Sequence, residues 1–167
     1  MKRALQLLLP ALLALAVAAQ IRRSSDLMQA QHLLWSVERR TMVLMRSGAL
    51  DKVKLRGHID ALYDAKKLDP AEVGIPTLIG SNHLLLGEVE AARRAYFEAN
   101  KLESRPEIIL NLGKVGYSQG WPKRAVHFFA QAVLLDPRMM KEVPEDFREK
   151  VSDALRSQDD TDGADEN

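Results

Sequence analysis

The pattern of apolar and polar residues repeats along the middle of the chain at an offset of 33 residues. Small residues fall on small residues, and an aromatic residue falls on an aromatic one. The matched pairs are Gly80 and Gly113, Gly87 and Gly120, Ala92 and Ala125, Tyr96 and Phe129, Ala99 and Ala132, and Leu102 and Leu135. A constant period of this length is typical of proteins built from stacked structural repeats.

The same pattern predicts a series of helices separated by short turns. Apolar residues recur every three to five positions, and Gly or Pro residues interrupt them. The predicted helices span residues 24–47, 51–67, 76–86, 89–102, 107–119, 122–135 and 144–156. We expect Ser24-Ser25-Asp26 to cap the first helix by accepting free backbone N–H groups. The apolar stripe predicted on that helix consists of Leu27, Leu34, Val37, Met42 and Met45.

The best-preserved repeat resembles a tetratricopeptide repeat (TPR), a helix–turn–helix unit of about 34 residues. The resemblance rests on Asn111-Leu112-Gly113, Tyr117, Gly120, Ala125, Phe129, Ala132 and Asp136-Pro137. Residues 73–105 form a second copy and residues 38–71 a degenerate one, whereas Gly116 stands where the family usually has a large aromatic residue. The resemblance implies an all-α, helix–turn–helix repeat solenoid of about three units, which helix 144–156 caps at its C-terminal end.

The family resemblance also implies roles for individual residues. Gly113 and Ala125 would let two antiparallel helices approach closely, and the first helix of each repeat would line a concave groove that binds a partner protein. The residues at groove positions are Thr77, Ser81, Leu84, Leu85, Leu110, Lys114, Tyr117 and Ser118. This mixed set favours an apolar, hydrogen-bonding ligand over a C-terminal carboxylate, because it offers one basic side chain. Alternatively, Leu84, Leu85 and Tyr117 simply pack against neighbouring helices.

Residues 4–21 carry no charge and lie between Lys2-Arg3 and Arg22-Arg23. Such a run of 18 residues is close to the lower limit for a membrane-spanning helix. Ala16-Val17-Ala18 equally fits the small-residue cleavage site of a signal peptide. The positive charges directly after the run favour the retained anchor. We therefore divide the chain into an anchor or signal segment (1–23), a repeat domain with its capping helix (24–156) and a tail (157–167).

Charge is unevenly distributed, although the net charge is only +1. The tail contains five acidic residues and no basic one. We expect it to be disordered because it has too little apolar surface to bury. A basic run could contact anionic lipid or an acidic partner, or it could form a solvated helix face. It consists of Lys52, Lys54, Arg56, His58, Lys66 and Lys67.

No arrangement of residues suggests catalysis. The chain has no cysteine, and its four histidines lack a second metal ligand three or four positions away. They are His32, His58, His83 and His127. No phosphate-binding loop or nucleophile motif is present. We predict a protein that is not an enzyme and takes no metal, cofactor, small-molecule substrate or nucleic acid. Trp35 and Trp121 are expected in the core or in an interface.

These features predict a scaffold or adaptor that a single N-terminal helix anchors to a membrane. Its partners would be proteins in or at the membrane, and it would act as an assembly factor or accessory subunit. We expect the bacterial inner membrane, with the repeat domain on the periplasmic side, since short N-termini usually stay in the cytoplasm. One alternative is a soluble periplasmic binding protein, released by cleavage after Ala18. Another is a permanent structural subunit that buries Leu84, Tyr117 and Trp121 against its partner.

Overall fold

The computed structural model describes residues 2–48 and 50–162, with side chains for residues 12–48 and 50–157. Helices are the only regular secondary structure in this part of the chain. Its α-helices are α1 (Lys2–Ser47), α2 (Lys52–Leu68), α3 (Gly74–Leu85), α4 (Val89–Leu102), α5 (Pro106–Ser118), α6 (Pro122–Leu135) and α7 (Glu145–Asp162). A short 3-10 helix, Pro137–Glu142, lies between α6 and α7.

Consecutive helices pair into three hairpins, α1 with α2, α3 with α4 and α5 with α6. Each hairpin packs on the next through α2 against α3 and α4 against α5, and α7 packs on α6. Packing between sequence neighbours is the arrangement that a stack of repeats requires. Helices α2 to α6 begin and end within about three residues of the predicted limits, so the solenoid of three helix–turn–helix units is confirmed.

The same glycine turn closes the first helix of every hairpin. Gly48, Gly87 and Gly120 have φ angles of 67°, 76° and 69°, which only glycine adopts without strain. After α3, the amide of Gly87 donates to the Leu84 carbonyl and that of Glu88 to the His83 carbonyl. The equivalent pair of bonds follows α5. This Schellman arrangement satisfies carbonyls that the helix end leaves free.

A second pair of glycines sets the distance between the helices of a hairpin. A Cβ atom on Gly113 would lie 2.4 Å from the ring of Phe129, and one on Gly80 would lie 2.9 Å from the ring of Tyr96. Both rings are fully buried. The repeated Gly and aromatic positions therefore contact each other within each of these two hairpins. The aromatic ring of the second helix packs directly against the backbone of the first helix at the glycine.

Helix α1 runs without a break from Lys2 to Ser47, so the predicted helix start at Ser24-Ser25-Asp26 is wrong. Cap residues begin a helix where the preceding backbone is not helical. Here they follow a run rich in Ala and Leu, which are strong helix formers, and no Gly or Pro separates them. The three side chains are solvated residues in the middle of a longer helix.

Among residues 12–47 of α1, the buried side chains all lie in the second half of the helix. Its buried residues are Ala30, Leu34, Val37 and Thr41. The predicted stripe was correct for Leu34 and Val37. It was wrong for Leu27, Met42 and Met45, which are 37%, 45% and 58% exposed, because Ala30 and Thr41 occupy the face toward α2 and α3.

Helix α7 covers the last hairpin. Phe147 and Val151 are buried with Phe129 and Val133 of α6, and charged side chains form the outer face. The helix continues to Asp162. Disorder of the tail, residues 157–167, stays a prediction. Residues 163–167 of the tail lie outside the described residues.

Across the described residues, no helix combines the length and apolar character needed to cross a bilayer. The predicted anchor begins with residues 4–11, whose side chains lie outside that part of the structure.

Candidate partner-binding surface

The structure places the predicted groove residues on α3 and α5, but not all of them reach the surface. Thr77, Ser81, Leu84 and Leu85 are half-buried on α3, and Tyr117 and Ser118 are exposed at the end of α5. Lys114 is half-buried, and no ion pair is found for it among the described residues. Leu110 is only 4% exposed and packs in the core that α6 and α7 share. Its assignment to the groove was therefore wrong.

Hydroxyl groups along the predicted groove already donate to their own helices. Thr77 Oγ1 donates to the Val73 carbonyl at 2.8 Å, and Ser118 Oγ donates to the Lys114 carbonyl at 3.0 Å. Ser81 Oγ donates to the Thr77 carbonyl and lies 3.0 Å from the Tyr96 hydroxyl. Burial raises the pKa of Tyr96 to about 12, so this phenol stays protonated. A ligand at these positions would have to donate the hydrogen bonds itself.

Two groove residues have partners within the protein, as the alternative interpretation expected. The Tyr117 ring meets the Phe147 ring of α7 edge to face, with 5.3 Å between centroids. Leu84 packs against a cluster that contains Tyr96 and Leu112. The capping helix thus covers part of one end of the predicted groove, and the remaining surface on α3 and α5 is small.

Large apolar side chains are also exposed along α1. Four side chains seven residues apart form what we call the α1 stripe, and they are Ile21, Met28, Trp35 and Met42. Their exposed fractions are 66%, 74%, 65% and 45%, respectively. Seven residues are close to two helical turns, so the four share one face, and 100° per residue turns that face away from Ala30 and Val37. Trp35 is therefore not a core residue.

A second feature is a depression between α1 and α2 of about 610 Å³, which we call the α1–α2 groove. Its walls combine apolar and basic groups. They are Arg39, Arg40, Val43, Leu44, Lys54, Gly57 and His58. Neither Arg39 nor Arg40 has an ion-pair partner within the described residues, and Lys54 lies 3.3 Å from Asp51. The volume is within the range of ligand pockets in proteins.

A buried chain of hydrogen bonds positions His58, one of the residues that line this groove. Asn82 Nδ2 donates to the Leu78 carbonyl, which turns Oδ1 toward Thr41. The Thr41 hydroxyl donates its hydrogen to Asn82 Oδ1 at 3.2 Å, and it accepts from His58 Nδ1 at 3.0 Å. The chain joins α1, α2 and α3. Burial lowers the pKa of His58, with a further contribution from the positive charge of Arg40, so the neutral imidazole is favoured.

The basic run on α2 is mostly neutralised within the protein. Arg56 pairs with Glu88 at 2.6 Å and Lys66 pairs with Glu98 at 2.5 Å, and both pairs join α2 to the next hairpin. Lys67 pairs with Asp64 in its own helix, and His58 is buried. The run therefore does not form one free basic face.

A smaller cavity of about 240 Å³ lies among α4, α5 and α6. Trp121 forms part of its wall and is 37% exposed, with the guanidinium of Arg124 4.8 Å from its ring centroid. Trp121 thus lies at the surface, where an interface role stays a prediction. Among the described residues, no group of His, Asp or Glu side chains could hold a metal ion.

No protein-family model matches the sequence, and no curated protein sequence matches it. Solved structures are similar in fold. A thermophilic TPR protein of Thermus thermophilus superposes with a TM-score of 0.52 and 23% sequence identity, over 83% of this chain and 67% of that chain. The TPR domain of Arabidopsis OM64 superposes with a TM-score of 0.60 and 14% identity, over 80% of this chain and 98% of that one. The chain therefore has a TPR-like helical repeat fold, as the resemblance of its residues predicted.

Proposed function

We propose that this protein is a non-catalytic scaffold that binds another protein and is held at a membrane by its N-terminal segment. The observation that carries the binding function is the α1 stripe. Four large apolar side chains lie in solvent on a helix that continues past the packed domain. Large apolar side chains that recur on one exposed helix face, here with polar residues between them, favour a site that a partner covers. The TPR-like fold supports the proposal, because repeat stacks present extended surfaces to partners.

The membrane part of the proposal rests on residues 4–21 and their basic flanks. A retained anchor would raise the concentration of the α1 stripe near other membrane proteins. That suits an assembly factor or accessory subunit in the bacterial inner membrane, with the repeat domain in the periplasm. Release of a soluble binding protein by cleavage after Ala18 is the second candidate, and the small residues Ala16-Val17-Ala18 favour it.

The test of binding is a pull-down of the C-terminally tagged full-length chain in mild detergent, with co-purifying proteins identified and counted. We expect a partner at fixed stoichiometry, and we expect Trp35→Glu to lose it because a charge on the stripe opposes burial. Val53→Glu is the matched control, since Val53 is an 81% exposed apolar residue on α2. Absence of any stoichiometric partner, or equal loss in both variants, would contradict the proposal.

The test of the anchor is the intact mass of the same protein together with its extraction from membranes. A full-length mass and resistance to alkaline extraction are expected for the anchor. Loss of residues 1–18 would establish the released form instead. Substitutions at Leu84, Tyr117 and Trp121 then distinguish a permanent subunit from an adaptor. The cellular amount of a permanent subunit would fall, whereas an adaptor would stay abundant and only lose its partner.

A further inference from the structure

We propose that the α1–α2 groove binds an acidic peptide segment of the partner protein, one that presents a large apolar side chain beside carboxylates. This inference deepens the proposed protein-binding function and rests on it. It adds the chemistry of the recognised segment, and it places that segment away from the concave helices α3 and α5.

The first argument is the composition of the groove. Val43 and Leu44 provide an apolar surface, and Gly57 leaves it open, because a Cβ atom at Gly57 would meet nothing within 4 Å. Glycine in the middle of a helix costs about 0.5–1 kcal/mol relative to alanine. In α2 no close contact requires a glycine at position 57, and the missing side chain leaves open space beside the groove.

The second argument is the charge at the rim. Arg39 and Arg40 are exposed, and neither is paired among the described residues. Lys54 adds a third positive charge, which Asp51 partly neutralises. None of the residues that line the groove is acidic. Guanidinium groups bind carboxylates with two parallel hydrogen bonds, so two adjacent arginines fit a segment with more than one carboxylate.

The third argument concerns the groove wall. The Thr41 hydroxyl bridges His58 to Asn82, so the ring of His58 in the groove wall is fixed before a ligand arrives. A pre-organised site loses less conformational entropy on binding. The neutral His58 ring adds a weakly polar surface and no competing charge against the bound side chain.

Two other negatively charged ligands, a membrane lipid and the acidic tail of this chain, fit the groove less well. Arg39 lies 18 residues beyond Ile21, about 27 Å along a helix, so a lipid of the membrane that holds residues 4–21 would not reach the groove. The acidic tail of this chain has no apolar side chain larger than Ala164. The tail also begins within α7, whose main contact is α6 at the other end of the stack.

The experiment uses full-length protein in phosphatidylcholine nanodiscs and two labelled hexapeptides, Glu-Asp-Leu-Phe-Glu-Asp and Glu-Asp-Ser-Ser-Glu-Asp. We expect saturable binding of the first peptide and about tenfold weaker binding of the second, since the apolar pair supplies the larger share of the affinity. Arg40→Glu should weaken binding of the first peptide by about tenfold or more, because it places like charges together. Arg94→Glu, an exposed arginine on α4, is the control and should change little.

Gly57→Leu tests the groove independently of charge. The new side chain would occupy the open space and should abolish binding, while the thermal melting temperature stays unchanged or rises. Equal affinities in the wild type, Arg40→Glu and Gly57→Leu would overturn the inference. Binding of laurate in place of the peptide, with the same dependence on Arg40 and Gly57, would overturn it in favour of a lipid ligand.

The outcome also separates this inference from the scaffold proposal. If Gly57→Leu still retains the stoichiometric partner in the pull-down and no peptide binds, the groove inference alone fails. If the wild-type protein retains no partner, the scaffold proposal fails, whatever the peptides do.

Discussion

At the residue scale, the contact between a glycine and an aromatic ring decides how tightly each complete hairpin closes. The ring of Phe129 lies on the backbone of Gly113, and Tyr96 lies on Gly80 in the same way. Interiors are close-packed, so even one added methyl group must displace a neighbour. The fully buried Phe129 has little room to move, because Phe147 of α7 packs on its other side at 5.8 Å between centroids.

We expect Gly113→Ala to lower the free energy of unfolding by about 1–3 kcal/mol, the usual cost of overpacking a core. Urea denaturation measures it. Gly57→Ala is the control, because Gly57 lies within a helix with open space around its Cβ position. That substitution should instead stabilise the protein by about 0.4–1 kcal/mol. A neutral Gly113→Ala would mean that the hairpin relaxes freely around the new methyl group.

His58 should make stability depend on pH. Its pKa is lowered in the folded protein by burial first and by Arg40 as well, so the unfolded chain binds more protons below the ordinary value of 6.5. The free energy of unfolding therefore falls as the pH falls through and below 6.5, and the contribution of His58 is complete at higher pH.

The measurement is a series of urea denaturations across this pH range. His58→Gln should flatten the dependence, whereas His32→Gln, which alters an exposed histidine on α1, should leave it as in the wild type. Identical slopes for His58→Gln and the wild type would show that other groups cause the effect.

At the element scale, α1 consists of two parts that differ in their contacts with other helices. From Ala30 onward its inner face is buried against α2 and α3, and Gln31 donates to Glu72 at 2.7 Å. From Leu12 to Gln29 every side chain except that of Asp26 is exposed. A helical segment without tertiary contacts unfolds locally far more easily than a packed one.

Trypsin should therefore cut after Arg22 or Arg23 well before it cuts after Arg93 or Arg94, which lie on the packed helix α4. Mass spectrometry of a time course identifies the sites. The large fragment should keep the melting temperature of the intact protein, since the removed residues bury little. Simultaneous cleavage at both places would show that α4 opens as readily as the projecting part of α1.

At the scale of the whole molecule, the sequence was informative wherever a structural role repeats. The 33-residue period identified the second and third hairpins because the same Gly, aromatic and turn positions recur in both. Leu110 was misplaced because a groove position in one repeat becomes a core position where α7 covers the last hairpin. The α1–α2 groove was missed because its walls come from two different helices, residues 39–44 of α1 and residues 54–58 of α2, which no single stretch of sequence brings together.

Because α1 is one unbroken helix, its length sets a distance within the molecule as well as forming part of the first hairpin. With a rise of 1.5 Å per residue, the number of residues between Ile21 and Ala30, the first buried residue of α1, fixes how far Ile21 lies from the packed part of the stack. Length and rotation are coupled, because each added residue also turns the stack by about 100°. An insertion of seven residues would lengthen the reach by about 10 Å and nearly preserve the facing side, whereas an insertion of two would turn the binding surfaces away.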